Sequence, residues 1–539
     1  MSSSGSVQQV LGVVGDALRR GDMAAAMRVS EEAVARGLAE TNILALAGHA
    51  CLERGDLDRA LALLTRAREL DPNNIEAHNG LGLCLGMMGR GRDAVAVFDA
   101  ALARWPGALN LILNRAQPLE DLGRLREAQT VLEKVLAADP NNTQALERLA
   151  NLCARRGEMA AARGYATRAL KLAPLPGATI ALATAELADK NYARVQQLLE
   201  PLIADAESDP VNRSIALGLT GDALDGMDRT ADAFAAYAQA RQALRAPLTA
   251  MQAGRESAVA HVRRLAAYFR AAPTQPWRTS TAGTAPVATH VFLVGFPRSG
   301  TTLLEQALAS HRDVRTMEEV DCLGDAAGEF FFAQGGMDRF AALGEAELDR
   351  LRALYWNGVA ESGAQTDRAV FIDKLPLNSI HQGLIARLFP SAKILFALRD
   401  PRDVVFSCFR RRLVMSANAV ELSSLDGTAA FYDAVMDISR VYRDTLALSA
   451  LDLRHEDMIG DFAGEMRRVC AFLGLSDDAA MNDFASHARN RDIKTPSAAQ
   501  VVRGLSKDGA GQWKRYAAEL APIMTVLAPW IERFGYKDI

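Results

Sequence analysis

Nowhere in these 539 residues do about 20 apolar side chains run together, so no segment reads as a membrane-spanning helix. The start, MSSSGSVQQV, has no basic stretch followed by an apolar one, so no secretory leader is expected there. Cysteine is scarce and scattered, at Cys51, Cys84, Cys153, Cys322, Cys408 and Cys470, with no CxxC pair and no Cys/His cluster. That spacing excludes a disulfide framework and argues against a zinc site. Together with the missing leader it makes the cytoplasm the expected location. Aromatic residues are only 6%, too few for a surface on which single-stranded bases stack. No charge of one sign dominates: Lys and Arg number 61 against 65 Asp and Glu, for a formal charge of −4. Bulk binding to nucleic acid or to an anionic membrane is therefore not expected, while a local basic pocket stays open.

What is present is ordinary for a globular chain, 49% apolar and 23% charged. At roughly 100–200 residues per domain, the length implies more than one core.

The first half repeats. Gly21, Gly55, Gly89, Gly123 and Gly157 are spaced by 34 residues; Asn191 continues the series and Gly226 follows one residue late. Five residues after these glycines stand Ala26, Ala60, Ala94, Ala128 and Ala162. Seven further on come Ala33, Ala67, Ala101 and Ala169, with Val135 the exception, and Pro72, Pro106, Pro140 and Pro174 close four of the units. Glycine, or asparagine at Asn191, is expected to supply the left-handed residue that ends a first helix. The alanines let a second helix approach, and proline turns the chain out of it. Pro118 falls inside a predicted helix and should kink it.

These residues resemble the tetratricopeptide repeat family over about residues 8–245, in roughly seven units. The resemblance implies a right-handed all-α superhelix whose concave face binds peptides or partner proteins. The reading assigns 1–245 to the repeat domain, 246–289 to a closing helix and a Pro/Thr/Ala-rich linker, and 290–539 to a second domain.

From His290 the pattern changes. Val291–Val294 reads as a buried strand, GFPRSGTT as a tight loop, and a helix follows from about Thr301. FIDK and AKILFALRD read as further short strands, with the amphipathic LNSIHQGLIARLF between them. Strand and helix in alternation indicate a parallel α/β sheet. In the loop, Gly295 and Gly300 keep the spacing of a phosphate-binding loop, whose backbone N–H groups converge on an anion at a helix start. Arg298 adds a charged fork, and Thr301 and Thr302 add hydroxyls. The lysine of a nucleotide-triphosphate loop is missing after Gly300. Asp373, at the end of FID, could imitate a magnesium-binding strand end, so a P-loop kinase or ATPase is an alternative.

A second basic constellation is ALRDPRDVVFSCFRR. Arg399 ends a strand, and Pro401 or Arg402 opens a helix. Ser407 and Arg411, four apart, are expected on one helix face. One hydroxyl and two guanidiniums suit a phosphate monoester.

With both segments in one α/β domain, residues 290–539 resemble the sulfotransferases that use 3′-phosphoadenosine-5′-phosphosulfate (PAPS), and most of all the protein-tyrosine branch. The fold implied is a P-loop-like parallel sheet. The resemblance implies that Arg298, Ser299, Gly300, Thr301 and Thr302 hold the 5′-phosphosulfate and that Arg399, Ser407 and Arg411 hold the 3′-phosphate. It makes Glu319, in DVRTMEEVD, the general base, with Glu318 the competing carboxylate. It makes Lys374 the lysine on the transferring sulfonate and Ser497, three residues before Gln500, the serine near the bridging oxygen. His455 replaces a tyrosine of the family's R-Y-E-D-L stretch, and Gln512 precedes Trp513 where the family carries a basic residue, which leaves Lys514, after the tryptophan, as the candidate for it. Arg298, Lys374 and Ser497 would stabilise developing charge, while the base takes the acceptor's proton. The scheme requires no metal. It makes the protein a sulfotransferase acting on a hydroxyl, with a protein or peptide tyrosine presented by the repeats as the expected acceptor. A second alternative makes the repeats primary, an adaptor with a nucleotide-sensing C-terminal domain; the intact set of basic residues argues against it. His311 is read as a cap or packing residue.

Overall fold

A computed structural model of the chain describes residues 3–271, 285–411, 419–489, 491, 501–502, 504–506 and 509–536. Sixteen helices run from Ser3 to Ala271 among the described residues. The chain divides into two compact units, Met1–Ala185 and Glu186–Ile539.

The first unit follows the repeat. Thr41–Glu53 is the first helix of one unit and Leu57–Leu70 the second. Between them Gly55 has φ +75°. Its N–H bonds to Leu52 O at 3.0 Å and that of Asp56 to Cys51 O at 3.0 Å, the paired bonds of a Schellman ending. Asp56 then caps the second helix through Arg59 N. Gly21, Gly89, Gly123 and Gly157 repeat the left-handed turn, with φ between +73° and +80°. Every phased alanine from Ala26 to Ala169 is fully buried, and Val135 with them. The helix Leu109–Asp121 runs on through Pro118.

At the sixth and seventh turns the phase differs from the expected one. Lys190 (φ +61°), not Asn191, occupies the left-handed position, and Asn191 is the N-cap of the next helix, Tyr192–Ala204. The bonds are the same two as at Gly55, shifted: Lys190 N to Leu187 O and Asn191 N to Glu186 O. At the next turn the left-handed residue is Asp228 (φ +59°). Gly226 instead ends the helix Pro210–Gly226, where a Cβ would lie 2.4 Å from the Tyr192 ring. Its glycine serves packing rather than a turn.

In the second unit, five strands among the described residues form one sheet: β1 (Thr289–Gly295), β2 (Val314–Glu318), β3 (Val370–Lys374), β4 (Lys393–Leu398) and β5 (Ser449–Arg454). Their order is β2-β3-β1-β4-β5 and every pairing is parallel. From β1 the chain fills one side of the sheet, then crosses to β4 and the other, so the direction of winding reverses between β1 and β4. In open parallel sheets ligands bind at such a reversal, beyond the C-terminal strand ends.

Alternate side chains face opposite layers. Phe292, Val294, Phe371, Ile394 and Phe396 face one core; Val291, Leu293, Ile372 and Leu395 face the other, with the helices Thr301–Ala309 and Phe462–Leu473. The first core is continuous with Leu224, Ala233, Ala236 and Tyr237 of the last repeat helices, and with Leu265 and Phe269 of the helix Ala258–Ala271. The closing repeat helices are thus part of the same interior as the sheet. No helix among the described residues is long and apolar enough to cross a membrane.

Candidate active site

The loop after β1 passes close against β4. A Cβ on Gly295 would lie 2.6 Å from Ala397 O, so only glycine fits the end of the strand. Arg298 stands at φ +74°, a conformation that costs a non-glycine residue energy and recurs at functional sites. Gly300 (φ +100°) then caps the helix Thr301–Ala309. Ser299, Thr301 and Thr302 are all buried at this helix start.

The loop after β4 meets it across the crevice. Arg399 Nη1 donates to Arg298 O at 3.1 Å, and Arg399 also reaches Gly509 O. Asp400 caps the helix Pro401–Arg410, with Pro401 in its first turn as expected. Arg298 Nε donates to Ser407 Oγ at 3.1 Å, joining the two loops through their side chains. Burial first, then the charge of Arg411, pushes the Arg298 guanidinium down to about 10, with Arg399 and Arg410 acting in the same direction. The guanidinium remains charged at neutral pH, in a crowd of cations that an anion would relieve.

Arg411 departs from expectation. The helix ends at Arg410, and Arg411 is extended (φ −88°, ψ 152°), so Ser407 and Arg411 do not share a helix face by periodicity. What keeps them adjacent is the bond from Arg411 N to Ser407 O, 3.2 Å. Where the helix ends, Arg241 takes the carbonyls of Cys408, Phe409 and Arg411.

The second cluster lies at the ends of β2 and β3, where Glu318 and Lys374 are in register. Lys374 is 0% exposed, with Nζ 2.9 Å from Glu319 Oε1, 3.3 Å from Glu305 Oε2 and 3.6 Å from Glu318 Oε1. Burial opposes its charge, but Glu305, Glu319 and Glu318 outweigh burial and hold the ammonium up to about 12. Glu305, on the loop helix and fully buried, accepts from Thr316 Oγ1 at 3.0 Å; burial pushes its carboxyl up against the opposing pull of Lys374. The Glu319 side chain is 37% exposed, while that of Glu318 is 9% exposed. Glu319 has φ +50° and donates its N–H to Lys374 O at 2.7 Å. This kink turns the two neighbouring carboxylates to different environments.

Sequence reasoning passed over Glu305, although a charge inside TTLLEQALA is a visible break in an apolar run. It also left His455 without a role. His455 faces the loop: a Cβ on Gly300 would lie 2.7 Å from its Nδ1. Burial, then Arg399 and Arg298, depress its pKa to about 3, so the ring is neutral at pH 7. Ser299 Oγ, Arg399 Nε and His455 Nδ1 are buried without hydrogen-bond partners among the described residues. Three incomplete polar groups around one loop fit an oxyanion-rich ligand such as a phosphosulfate.

Other expected positions fall elsewhere. Asp373 is 0% exposed on the face opposite Lys374 and accepts from Tyr355 OH at 2.9 Å, which leaves it no place as a magnesium-binding strand end. Lys514 is exposed on the turn Gln512–Tyr516, whose Trp513 lies 3.7 Å beneath the Arg402 guanidinium. His311 is buried, holding Ser476 O and Asp313 N, as a packing residue should. Ser497 and Gln500 lie outside the described residues.

Comparison with known proteins agrees with this anatomy. The profile of the Sulfotransferase family matches residues 290–479, and two repeat profiles, TPR repeat and Tetratricopeptide repeat, match 48–89 and 113–175. The chain therefore carries tetratricopeptide repeats followed by a sulfotransferase-family domain. An uncharacterised protein of Aquifex aeolicus is 24% identical over 272 residues, 47% of this chain and 34% of that protein, so about a third of its length is spanned. Protein-tyrosine sulfotransferase 1 of Danio rerio is 23% identical over 258 residues, 46% of this chain and 72% of the relative. Among solved structures, the sulfotransferase domain of the Synechococcus PCC 7002 olefin synthase is 22% identical, covering 49% of this chain and 98% of that one with a TM-score of 0.34.

Proposed function

We propose that this sulfotransferase takes its sulfonate from PAPS and delivers it to a hydroxyl, the acceptor being a tyrosine of a protein or peptide presented by the repeats. The observation that carries the reading is the meeting of Arg298, Ser407 and Arg399 at the β1/β4 reversal, with buried polar groups left incomplete around them. When bound, the donor supplies the sulfonate and leaves as adenosine 3′,5′-bisphosphate. Arg298, Ser299, Gly300, Thr301 and Thr302 would hold its 5′ end, and Arg399, Ser407 and Arg411 its 3′-phosphate. Glu319, the more exposed of the two adjacent acids, takes the acceptor proton. Lys374 holds Glu319 in place and offers a buried positive charge where negative charge builds. The distant likeness to protein-tyrosine sulfotransferases supports the phenolic acceptor.

The test is thermal. Adenosine 3′,5′-bisphosphate, without magnesium, should raise the melting temperature more than ATP with magnesium. At 100 times its dissociation constant a ligand adds about 2.7 kcal/mol. The reverse order would favour a kinase or ATPase and overturn the donor assignment.

A further inference from the structure

The residue that shapes the Ser407–Arg411 segment does not come from the sheet domain's own sequence. Arg241 lies on the last repeat helix, Thr230–Ala243, and is 4% exposed. Its Nε donates to Phe409 O at 2.6 Å and its Nη2 to Cys408 O at 3.4 Å and to Arg411 O. The last carbonyls of a helix have no partner within it, and a cation there also opposes the negative end of the helix dipole. Arg241 answers both needs for the helix Pro401–Arg410, and it holds the backbone where it leaves that helix at Arg411.

The side chains of the same segment are held by the same hairpin. Asp222, on Pro210–Gly226, has Oδ2 3.5 Å from Arg411 Nη1 and Oδ1 3.9 Å from Arg410 Nη2. Asp222 is itself fixed by Tyr237 OH at 2.9 Å. Arg410 further meets Asp225 at 3.7 Å, and Asp225 accepts from Arg515 at 2.6 Å and from Tyr516 OH. Simple packing of two helices would not call for this arrangement. A buried guanidinium is costly unless its donors are used, and an apolar side chain would fill the same space more cheaply.

We infer that the last repeat hairpin is a working part of the 3′-phosphate clamp, with Arg241 as its positioning residue and Asp222 as the acid that competes with the phosphate for Arg411. Arg241 sets the backbone that presents Ser407 and Arg411 together. Asp222 shares the charge of Arg411 until a phosphate takes it. The inference rests on the reading that Ser407 and Arg411 bind the donor's 3′-phosphate. It gives the repeats a second part to play, in how the donor is recognised, apart from any role in bringing an acceptor.

The experiment is calorimetric titration of the full chain with adenosine 3′,5′-bisphosphate and with adenosine 5′-monophosphate, which lacks only the 3′-phosphate. The wild type should prefer the bisphosphate at least about tenfold, the worth of one charge-assisted hydrogen bond. Arg241→Met should remove most of that preference while changing monophosphate affinity less than about twofold, and Arg241→Lys should restore part of it. Asp222→Asn still accepts from Tyr237 and sits on a half-buried surface, so it serves even if the Arg241 variants fail to fold. It should raise the preference about threefold by freeing Arg411. A wild-type preference that survives unchanged in Asp222→Asn and in every folded Arg241 variant, or falls equally for both ligands, would overturn the inference and leave the clamp itself standing. A wild type with no preference would instead remove the clamp assignment, and the inference with it.

Discussion

Lys374 Nζ stands 2.9 Å from Glu319 Oε1, an ion pair made across the ends of two neighbouring parallel strands. One partner is sealed in the protein and the other opens to solvent. The pair therefore joins the interior of the sheet to its solvent-facing edge. If Glu319 is the base, Glu319→Gln should leave bisphosphate affinity nearly unchanged and lower the transfer rate by roughly 10²–10⁴. The loss should shrink for phenols of low pKa. Glu318→Gln, altering the acid turned inward, should cost much less. Initial rates with radiolabelled donor decide between the two, and a larger loss in Glu318→Gln would move the base by one residue.

Asp373 offers a pH signature. Burial is the main cause that raises its carboxyl to about 7, against an ordinary value of 3.8. The unfolded chain gives up this proton near pH 4, the folded one only near 7. Between those limits the native state holds more protons, so stability falls as pH rises and the full penalty is present above 7. Asp373→Asn keeps an acceptor for Tyr355 and removes the titration. Its stability relative to wild type should climb between pH 4 and 7 by on the order of 4 kcal/mol, at about 1.36 kcal/mol per unit. Urea unfolding at both ends of that range measures the gap; a gap independent of pH would contradict it.

The continuous core sets where the chain can be cut. Removing 1–245 takes away Leu224, Ala233, Ala236 and Tyr237, all buried with the sheet residues, and also Arg241. The remainder should lose its cooperative melt or aggregate. Removing 1–174 keeps those residues and should preserve the melt and bisphosphate binding. Circular dichroism and size-exclusion chromatography would show it. Equal melting of both truncations would mean that the shared core contributes little.

Within the repeats, Gly82 is the sharpest packing test. A Cβ there would lie 2.4 Å from Phe98 Cζ, and that ring is fully buried. Gly82→Ala should destabilise the chain by about 1–3 kcal/mol through overpacking, against the small gain alanine brings to a helix. A neutral or stabilising result in thermal unfolding would show that the ring has room to move.

Period and loop were readable because each depends on local chemistry. A left-handed turn selects glycine, so five glycines at 34-residue spacing marked five turns. At Lys190 and Asp228 the same turn is made by residues that do not advertise it, and the series was followed one residue too far at Asn191 and to the wrong residue at Gly226. The strand, loop and helix around Gly295–Thr302 came from apolar period and glycine spacing, and stand close to where they were expected. Arg411 did not, because its helix stops at Arg410, where the carbonyls are taken by Arg241, 170 residues away from Arg411 in sequence. Spacing left Asp373 open as a magnesium-binding strand end, in the kinase or ATPase alternative; strand alternation, which spacing does not show, decides which face its carboxylate meets. His455 and Glu305 were unassigned for a similar reason: their meaning lies in Gly300 and Lys374, which no local window contains.

The border between the two compact units falls within the helix Pro176–Ala188, inside the array rather than after it. Descent can then treat the two portions of the array differently. Upstream units, which lie in the other compact unit, could then be duplicated or lost in whole multiples of the period. The final hairpin shares its core with the sheet and would have to be inherited together with it. Kindred chains should accordingly vary in the number of their leading repeats while the acid at 222 and the arginine at 241 travel with the catalytic sequence.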